Sequence, residues 1–431
     1  MKSEFILSIL SLLSIITSTD LNLRNLQDEV ETPNIQLNLV NGLYELNIKS
    51  GTDLINYLNL ILDTSHYITW IPSINCTTCN QINLFNISKA ISFKDILTPK
   101  TIQYVNGNVS GNLSSSDFFF DKNSTLIGNG YTFVMVNQDT LPENAKLKGI
   151  MGFGHNYQKN EQANFSFTDL LIRNKQIDKD IFSIDPNGPK LYIGGLPLAI
   201  SKDMKNYTHC GVETTGDISN YWSCLLTHYI QGDSKDFSKS TAIRKSVIFD
   251  TGNVYSCAPL SFFNTFWTTY FMNKTTCSNM TAPDKTISIT CSVDTDYTKF
   301  DNLHFILNGW AYNITPSSLF VDNQFTIFFG KCILDDVWTF GNYFLQNFAM
   351  VYDRDKEQVG FYTDRRTDFT KYVNEEQDSK NRSWIIIGII FGIVFFIIII
   401  LGILYVIKKY KEKPQFDLTK ENKNKENFIN Y

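Results

Sequence analysis

Between residues 35 and 365 the chain consists of short apolar runs, rich in β-branched and aromatic residues and broken by Gly, Asn and Asp. This pattern is typical of β-strands joined by turns. It predicts strands in IQLNLVNGLYELNIKS, LNLILD, YITWIP, YTFVMV, KLYIGG, SVIFD, LHFILNG and FAMVYDRDKEQVGFYT. Helical patterns are few, and the best candidates are residues 166–177 and 260–274, the second opening just after Pro259. The chain is therefore predicted to be mainly β.

The N-terminal end carries a short apolar segment. Residues 1–18 have a lysine near the start, a short apolar core and small residues at the end, which is the layout of a signal peptide. A buried N-terminal helix is the alternative interpretation. Residues 19–34 are polar and acidic and are interpreted as a short leader.

Near the C-terminal end, residues 384–407 contain no charged side chain. As a helix they would be about 36 Å long, enough to cross a hydrocarbon core of about 30 Å. The basic sequence KKYKEK follows at once and favours the cytoplasmic side. We therefore expect a single-pass type I membrane protein with a juxtamembrane stalk at 366–383 and a cytoplasmic tail at 408–431. The remainder would lie outside the cell or in the lumen of the secretory and endolysosomal system.

Composition limits the choice of partners. The 431 residues are enough for two lobes of ordinary size, which we expect at 35–205 and 206–365. A formal net charge of −5 argues against nucleic acid, because no broad basic surface is available to neutralise phosphates. No His or Cys cluster has convincing metal-ligand spacing, so neither a metal nor another cofactor is expected. Several sequons for N-glycosylation predict a glycoprotein, and they include Asn86, Asn108, Asn112, Asn123, Asn164, Asn206 and Asn313.

The eight cysteines should mostly be paired in such an ectodomain. Cys76 and Cys79, in CTTC, have the spacing of a redox motif. A disulfide that closes a small loop is the favoured interpretation of this pair.

A weak internal repeat contains the two candidate catalytic residues. Asp63 lies in the segment LNLILDTS and Asp250 in the segment KSVIFDTG, each at the end of an apolar run. Each copy is followed, about ninety residues later, by an apolar pair and a glycine, in GIMGFG at 149–154 and VWTFGNYF at 337–344. Two lobes with one copy each, related by an approximate two-fold axis, would bring the two carboxylates face to face in a cleft.

Facing carboxylates can hydrolyse a peptide bond without a metal or a covalent intermediate. Like charges a few ångströms apart cannot both ionise, so the pair shares a proton and the two pKa values separate. One carboxylate then takes a proton from water while the other protonates the substrate carbonyl. Asp63 and Asp250 are thus the candidate catalytic pair; the alternative is that they only cap loops.

On these motifs the chain resembles the pepsin-like aspartic proteases (peptidase family A1) from about residue 35 to residue 365. ILDTSHYITWIPS resembles the first catalytic segment of the family, YVNGNVSG at 104–111 its flap hairpin, LYIGG the end of its first lobe, and FAMVYDRDKEQVGFYT the closing strands of its second lobe. Asn106-Gly107 is independently a strong hairpin signal. The resemblance implies a bilobal β fold with pseudo-two-fold related lobes and a flap over the cleft.

The resemblance also implies residues around the substrate. Protein or peptide substrates would contact a set of flap and loop residues: Tyr104, Trp70, Gly107, Gly252, Thr64 and Thr251. In the family the tryptophan supports the flap tyrosine, and the two threonines brace the catalytic loops. Trp70 could equally be a core residue, and Tyr104 an ordinary strand aromatic.

Three positions depart from the Asp-Thr-Gly-Ser/Thr pattern of the family. Ser65 stands where the second copy has Gly252, and His66 and Asn253 occupy the fourth positions. Ser65 keeps the backbone donor but adds a Cβ, while His66 and Asn253 can still donate hydrogen bonds. The family also carries a long basic pro-segment, whereas residues 19–34 are short and acidic.

The resemblance also implies a disulfide between Cys291 and Cys332 in the second lobe. The remaining four cysteines could pair as Cys210–Cys224 and Cys257–Cys277, although spacing does not fix connectivity.

The leading hypothesis is a membrane-anchored aspartic endopeptidase. The alternative is a catalytically impaired pepsin-fold ectodomain that binds peptides or serves as an adhesion or receptor protein, which the altered positions at Ser65, His66 and Asn253 favour. A channel or transporter subunit has little support, because a single uncharged span offers no ion pathway.

Overall fold

The computed structural model of the chain describes residues 32–50, 57–82, 84–104, 107–120, 126–141, 148–155, 165–232, 236–272 and 276–411. The predicted signal peptide, most of the predicted leader and most of the predicted cytoplasmic tail lie outside these described residues.

Short strands make up most of the folded part, as the pattern of short apolar runs broken by turn residues predicts. In chain order they are β1 (Asn34–Val40), β2 (Leu43–Lys49), β3 (Tyr57–Asp63), β4 (Trp70–Pro72), β5 (Lys94–Tyr104), β6 (Gly107–Phe119), β7 (Ile127–Asp139), β8 (Ile150–Gly152), β9 (Ile181–Asp185), β10 (Lys190–Ile193), β11 (Tyr207–Gly211), β12 (Ser223–Gln231), β13 (Thr241–Phe249), β14 (Ser256–Pro259), β15 (Cys277–Thr281), β16 (Ile287–Cys291), β17 (Leu303–Leu307), β18 (Trp310–Ile314), β19 (Phe320–Val321), β20 (Gln324–Phe325), β21 (Ile327–Gly330), β22 (Trp338–Phe340), β23 (Ala349–Asp353), β24 (Gln358–Tyr362) and β25 (Arg366–Asp368).

Most helices are short. They are α1 (Phe167–Arg173), α2 (Leu198–Lys202), α3 (Phe263–Phe266), α4 (Pro316–Leu319), α5 (Asn342–Leu345) and the long α6 (Thr370–Lys411). The helix predicted at 166–177 forms as α1, capped by the Ser166 side chain. The second predicted helix is broken, because a 3₁₀ turn at Leu260–Phe262 precedes α3 and a π-helical turn at Trp267–Phe271 follows it.

The strands build two sheet lobes. One sheet has the order β11-β24-β23-β9-β10-β1-β2-β3-β8-β4-β7-β6-β5, and the other has the order β19-β20-β16-β21-β14-β22-β13-β12-β17-β18-β25, with β15 paired to β16. Strands β11, β23 and β24 come from the predicted second lobe, residues 206–365, but complete the first sheet. The lobe boundaries expected from the sequence therefore remain a prediction.

The same strand arrangement surrounds both Asp-Thr segments. In the first lobe β3 runs parallel to β8, which meets β4 antiparallel, and β4 runs parallel to β7. In the second lobe β13, β22, β14 and β21 are related in the same way. The internal repeat seen in the sequence thus corresponds to a repeated strand topology, and GIMGFG and VWTFGNYF supply the strand beside each aspartate-bearing segment.

The four disulfides correct part of the expected connectivity. Cys76–Cys79 and Cys210–Cys224 form as expected. The predicted Cys291–Cys332 pair is wrong, and so is Cys257–Cys277: the bonds are Cys257–Cys332 and Cys277–Cys291. Strand register is the reason, because Cys277 and Cys291 lie directly opposite each other in the β15–β16 hairpin. The sequence contains no clear signal for this polar hairpin.

Helix α6 includes an apolar segment, Phe391–Lys408, that is long enough to cross a membrane. Its apolar side chains from Phe391 to Ile407 are exposed. The helix begins at Thr370, earlier than the segment predicted from the sequence, and it includes the predicted stalk from that residue onward.

Candidate active site

The two Asp-Thr segments lie at the ends of buried strands. Strand β3 is exposed at Tyr57 and buried from Leu60 onward, so that Asp63 is only 2% exposed. Strand β13 ends at Phe249, and the following Asp250 is completely buried. Apolar strand interiors thus withdraw both carboxyl groups from water, which penalises their ionisation.

Reciprocal hydrogen bonds lock the two loops together. The Thr64 amide donates to Thr251 Oγ1 at 3.1 Å, and the Thr251 amide donates to Thr64 Oγ1 at 3.0 Å. Each hydroxyl donates in turn to a backbone carbonyl of the other lobe, Thr64 Oγ1 to Phe249 and Thr251 Oγ1 to Leu62, both at 2.7 Å. This arrangement is symmetric and fully buried, so it fixes the separation of the two aspartates.

The carboxyl group of Asp63 packs against the backbone of the second loop. A Cβ added to Gly252 would lie 2.7 Å from Asp63 Cγ, closer than any real contact. The Gly252 amide donates to Asp250 Oδ1 at 2.9 Å, as the Ser65 amide does to Asp63 Oδ1 at 2.7 Å. The two carboxyl groups therefore face each other across matching backbone donors.

The side chains around the two carboxylates differ. Asp63 accepts hydrogen bonds at Oδ1 from the Ser65 hydroxyl at 2.7 Å and from the His66 amide at 3.0 Å. His66 Nδ1 lies 2.8 Å from Asp63 Oδ2. Asp250 Oδ2 accepts from Asn253 Nδ2. The two fourth-position side chains thus reach the same carboxylate oxygen in both loops, as donors of different shape.

Ser65, His66 and Asp63 do not form a serine-hydrolase triad. Such a triad needs the two ring nitrogens to contact different partners, so that one accepts the serine proton while the other faces the carboxylate. Here the same atom, His66 Nδ1, lies 2.9 Å from Ser65 Oγ and 2.8 Å from Asp63 Oδ2. The serine proton therefore has no path through this ring.

Electrostatic interactions separate the pKa values of the two carboxyl groups. Burial favours the protonated form of Asp63, but the charge of His66 and the hydrogen bonds from His66 and Ser65 outweigh burial and hold its pKa below the ordinary value. Burial, followed by the negative charge of Asp63, raises the pKa of Asp250 to about 6, against the hydrogen bonds from Asn253 and Ser65. Burial of His66 is outweighed by the charge of Asp63, so the pKa of His66 is raised. At mildly acidic pH Asp63 is ionised and Asp250 holds a proton.

The predicted flap is a hairpin of β5 and β6. Tyr104 and Gly107 are register partners at its end, and the two turn residues between them lie outside the described residues. The Trp70 indole donates to the Tyr104 hydroxyl at 2.7 Å, which ties the hairpin to the buried cluster around Trp70. The Tyr104 ring lies 5.0 Å from the His66 ring, so the hairpin reaches the catalytic loop.

A cavity of about 620 Å³ opens beside the carboxylates. Asp63, Tyr104 and Gly252, three of the candidate site residues named from the sequence, line it. Other predicted substrate contacts, Trp70, Thr64 and Thr251, are at most 1% exposed and brace the site instead of lining it. Gly107 closes the hairpin, where an added Cβ would lie 2.9 Å from the Thr140 carbonyl oxygen.

Sequence reasoning missed most of the cavity wall. Its main apolar contributors are Leu43, Leu141, Ile150, Val254, Phe328 and Ile333. Polar groups at the wall include Gln103, Tyr221 and Lys331. These side chains come from both lobes and obey no spacing rule along the chain. Only the three-dimensional fold shows that they share a surface.

Two sheet lobes that present facing Asp-Thr loops define the aspartic-protease class of fold. The chain matches the eukaryotic aspartyl protease family over residues 43–363 and belongs to that family. It is 24% identical to plasmepsin IV of Plasmodium falciparum over 70% of this chain and 65% of that protein. It is 25% identical to the aspartic-type endopeptidase ctsD of Aspergillus fumigatus, over 78% of this chain and 69% of that protein. It is 20% identical to embryonic pepsinogen of Gallus gallus, over 75% of this chain and 81% of that protein.

Proposed function

We propose that this protein is a membrane-anchored aspartic endopeptidase that works at mildly acidic pH. The observation that carries the proposal is the facing carboxyl pair, held by reciprocal threonine hydrogen bonds and electrostatically split into an ionised Asp63 and a protonated Asp250. General acid–base hydrolysis needs one carboxyl group in each form at the same pH.

In the proposed reaction a water held between the carboxyl groups attacks the scissile carbonyl carbon. Asp63 accepts the proton that the water loses, and Asp250 gives its proton to the carbonyl oxygen, so that a neutral gem-diol forms. The C–N bond then breaks as Asp63 passes its proton to the leaving nitrogen. Asp250 recovers a proton from a gem-diol hydroxyl, and both residues return to their starting forms.

Substrate binding in this proposal uses the cavity beside the dyad. Its apolar side chains favour a large apolar side chain next to the scissile bond, and burying one in such a cavity contributes about 1.5–3 kcal/mol. The flap hairpin, held by the Trp70–Tyr104 hydrogen bond, covers the substrate. Excluding water in this way strengthens the electrostatic interactions of the dyad.

The test is digestion of apolar peptides by the full-length chain in detergent, from pH 3 to 7, with and without a statine-type transition-state mimic. Asp250→Asn should abolish hydrolysis while thermal unfolding remains cooperative. The matched control is Asp284→Asn, which changes an exposed turn carboxylate in the second lobe. Cleavage by Asp250→Asn at the parent rate would show that the carboxyl pair does not catalyse.

The proposed anchor is α6, whose apolar segment has the length to span a bilayer and is followed by basic residues. We expect the protein to remain in membranes after alkaline carbonate extraction and a chain truncated before Trp384 to be released. Protease added to sealed vesicles that carry the protein should remove only the C-terminal tail. Digestion of the folded lobes in the same vesicles would contradict the type I orientation.

One observation favours a second candidate, a peptide-binding protein without activity. The Ser65 hydroxyl donates to Asp63 Oδ1 at 2.7 Å and also acts to lower the pKa of Asp250, so it lies near both carboxyl groups, where a reacting water needs space. Under this alternative the parent chain binds the statine-type mimic but cleaves nothing, and Ser65→Gly with His66→Ser creates activity. A parent chain that already cleaves peptides would exclude it.

A further inference from the structure

A second cavity, of about 340 Å³, adjoins the proposed catalytic site. It shares Ser65, His66 and Tyr221 with the larger cavity, so a peptide that crosses the dyad can enter both. The wall of the second cavity is more polar than that of the first, and it carries Lys100 from strand β5 and Asn220 from the other lobe. The two cavities therefore differ in the side chains they can accept.

Lys100 gives the second cavity a positive charge. Its backbone is fixed by pairing with Gly111 in the flap hairpin, and its side chain is only partly exposed. Among the described residues no carboxylate forms an ion pair with Lys100. A lysine on the wall of a partly enclosed cavity, without an acidic partner in the described part of the chain, suits an incoming carboxylate.

His66 adds a donor to the same cavity. Its Nδ1 already faces Asp63 and Ser65, which leaves Nε2 as the remaining donor of the protonated ring. His66 lines this cavity and its side chain is 27% exposed, so the ring can contact a bound molecule. An acidic side chain in the cavity can thus accept hydrogen bonds from Lys100 and from the imidazolium.

Nearby acids do not cancel this charge at mildly acidic pH. Asp63 is ionised but is compensated by its ion pair with His66. Asp250 keeps a proton below its pKa of about 6. Asp217 is exposed, so solvent screens the effect of its charge on Tyr221. Lys100 therefore leaves the cavity with a net positive charge in the same pH range in which the dyad is competent.

We propose that the second cavity binds an acidic side chain of the substrate, and that Lys100 is its specificity-determining residue. This inference rests on the proposed endopeptidase function. The preferred substrate then has a large apolar residue on one side of the scissile bond and a Glu or Asp on the other. The predicted preference for an acidic side chain follows from the positive charges of Lys100 and His66 at the second cavity.

The test uses paired peptides that differ only by Glu or Gln, scanned through two positions on each side of the bond, with the full-length chain in detergent at pH 5. We expect an effect at one position on the side of the scissile bond opposite the apolar residue. There the Glu peptide should have a kcat/KM about two- to fivefold higher than the Gln peptide, which is the range of a modest ion pair. Lys100→Gln should reduce that ratio to about one, and Lys100→Glu should favour a Lys peptide. The control is Lys94→Gln, an exposed cation on the same strand outside both cavities, which should keep the parent ratio.

A Glu/Gln ratio of one at every position, or a ratio that survives Lys100→Gln, would overturn the inference while leaving the endopeptidase function intact. The cavity assignment can be tested separately from the endopeptidase function. The measurement is the binding affinity of the same peptides carrying a reduced amide at the scissile bond. Binding that prefers Glu and depends on Lys100, without any cleavage of the parent peptides, would support the cavity assignment and reject the endopeptidase function.

Discussion

Single side chains distinguish the two halves of the proposed active site. Each aspartate has one backbone donor from two residues downstream and one side-chain donor from three residues downstream. In the first loop the side-chain donor carries a positive charge, whereas in the second loop it is a neutral amide. This difference, reinforced by the Ser65 hydroxyl, determines which carboxyl group is ionised first.

The charge of His66 predicts a shifted pH profile. In the parent, kcat/KM should fall as the pH rises through about 6, because Asp250 then loses the proton it must donate. His66→Ser removes a cation that favours ionisation of both aspartates. Both limbs of the profile should then move to higher pH. The measurement is kcat/KM between pH 3 and 8.

His209→Ser is the matched control, because His209 is an exposed histidine of β11 and does not line either cavity. Its profile should overlay that of the parent. A His66→Ser profile with unchanged limbs would mean that the ring does not tune the dyad.

The backbone of the second loop predicts a steric effect. Gly252→Ala places a methyl group 2.7 Å from Asp63 Cγ, so one loop must move. A displacement of about 1 Å at reacting groups can reduce turnover about 100-fold, and we expect a loss of at least that size. Gly211→Ala, at an exposed position of β11 with open space around the new methyl group, is the control and should retain parent kcat. Parent-like turnover in Gly252→Ala would show that the loops adjust freely.

At the scale of strands and loops, features that depend on local pattern were predictable from the sequence. Short apolar runs broken by turn residues located the strands, and Asn106-Gly107 located the hairpin whose register the structure defines. The parallel pairing of β3 with β8 could be expected only through the internal repeat. The disulfides of the second lobe were mispredicted, because the register of the polar β15–β16 hairpin fixes one of them. The cavity wall escaped prediction because its residues come from loops far apart in the chain.

The corrected disulfides predict unequal contributions to stability. Cys257–Cys332 spans 75 residues and Cys210–Cys224 spans 14. The loop-entropy relation gives about 4.5 kcal/mol for the first and about 3 kcal/mol for the second. Replacing each pair by alanine and measuring denaturant unfolding should therefore show the larger loss for Cys257–Cys332. Equal losses would mean that the denatured chain retains structure that shortens the longer loop.

At the scale of the whole folded unit, a buried ion pair joins distant parts of the chain. Arg354 comes directly after β23, and its Nη1 lies 3.0 Å from Asp180 Oδ1, with both side chains less than 10% exposed. Its Nη2 donates to the Gly154 carbonyl at 3.1 Å. One guanidinium thus joins the last strands of the fold to the segments that follow β8 and precede β9.

Arg354→Met would leave Asp180 buried without its cation. We expect a loss of about 3–5 kcal/mol in the free energy of unfolding, because an uncompensated buried charge is costly. The control is Lys356→Gln, two residues away, where the lysine is exposed and its ion pair with Asp353 should contribute less than about 1 kcal/mol. Chemical denaturation at pH 7 measures both variants. A small loss for Arg354→Met would show that water or neighbouring donors solvate Asp180.

The first sheet combines strands that are far apart in the chain, and this affects how the chain folds during synthesis. Strand β9 lies between β10 and β23, and β23 is synthesised more than 160 residues after β9. Until then one edge of β9 is unpaired, and open strand edges promote association with other chains. Pairing at such sequence separation is also slow to form. The nascent chain must therefore wait with an incomplete sheet, and chaperone binding should be prolonged until the residues up to Tyr362 have been synthesised.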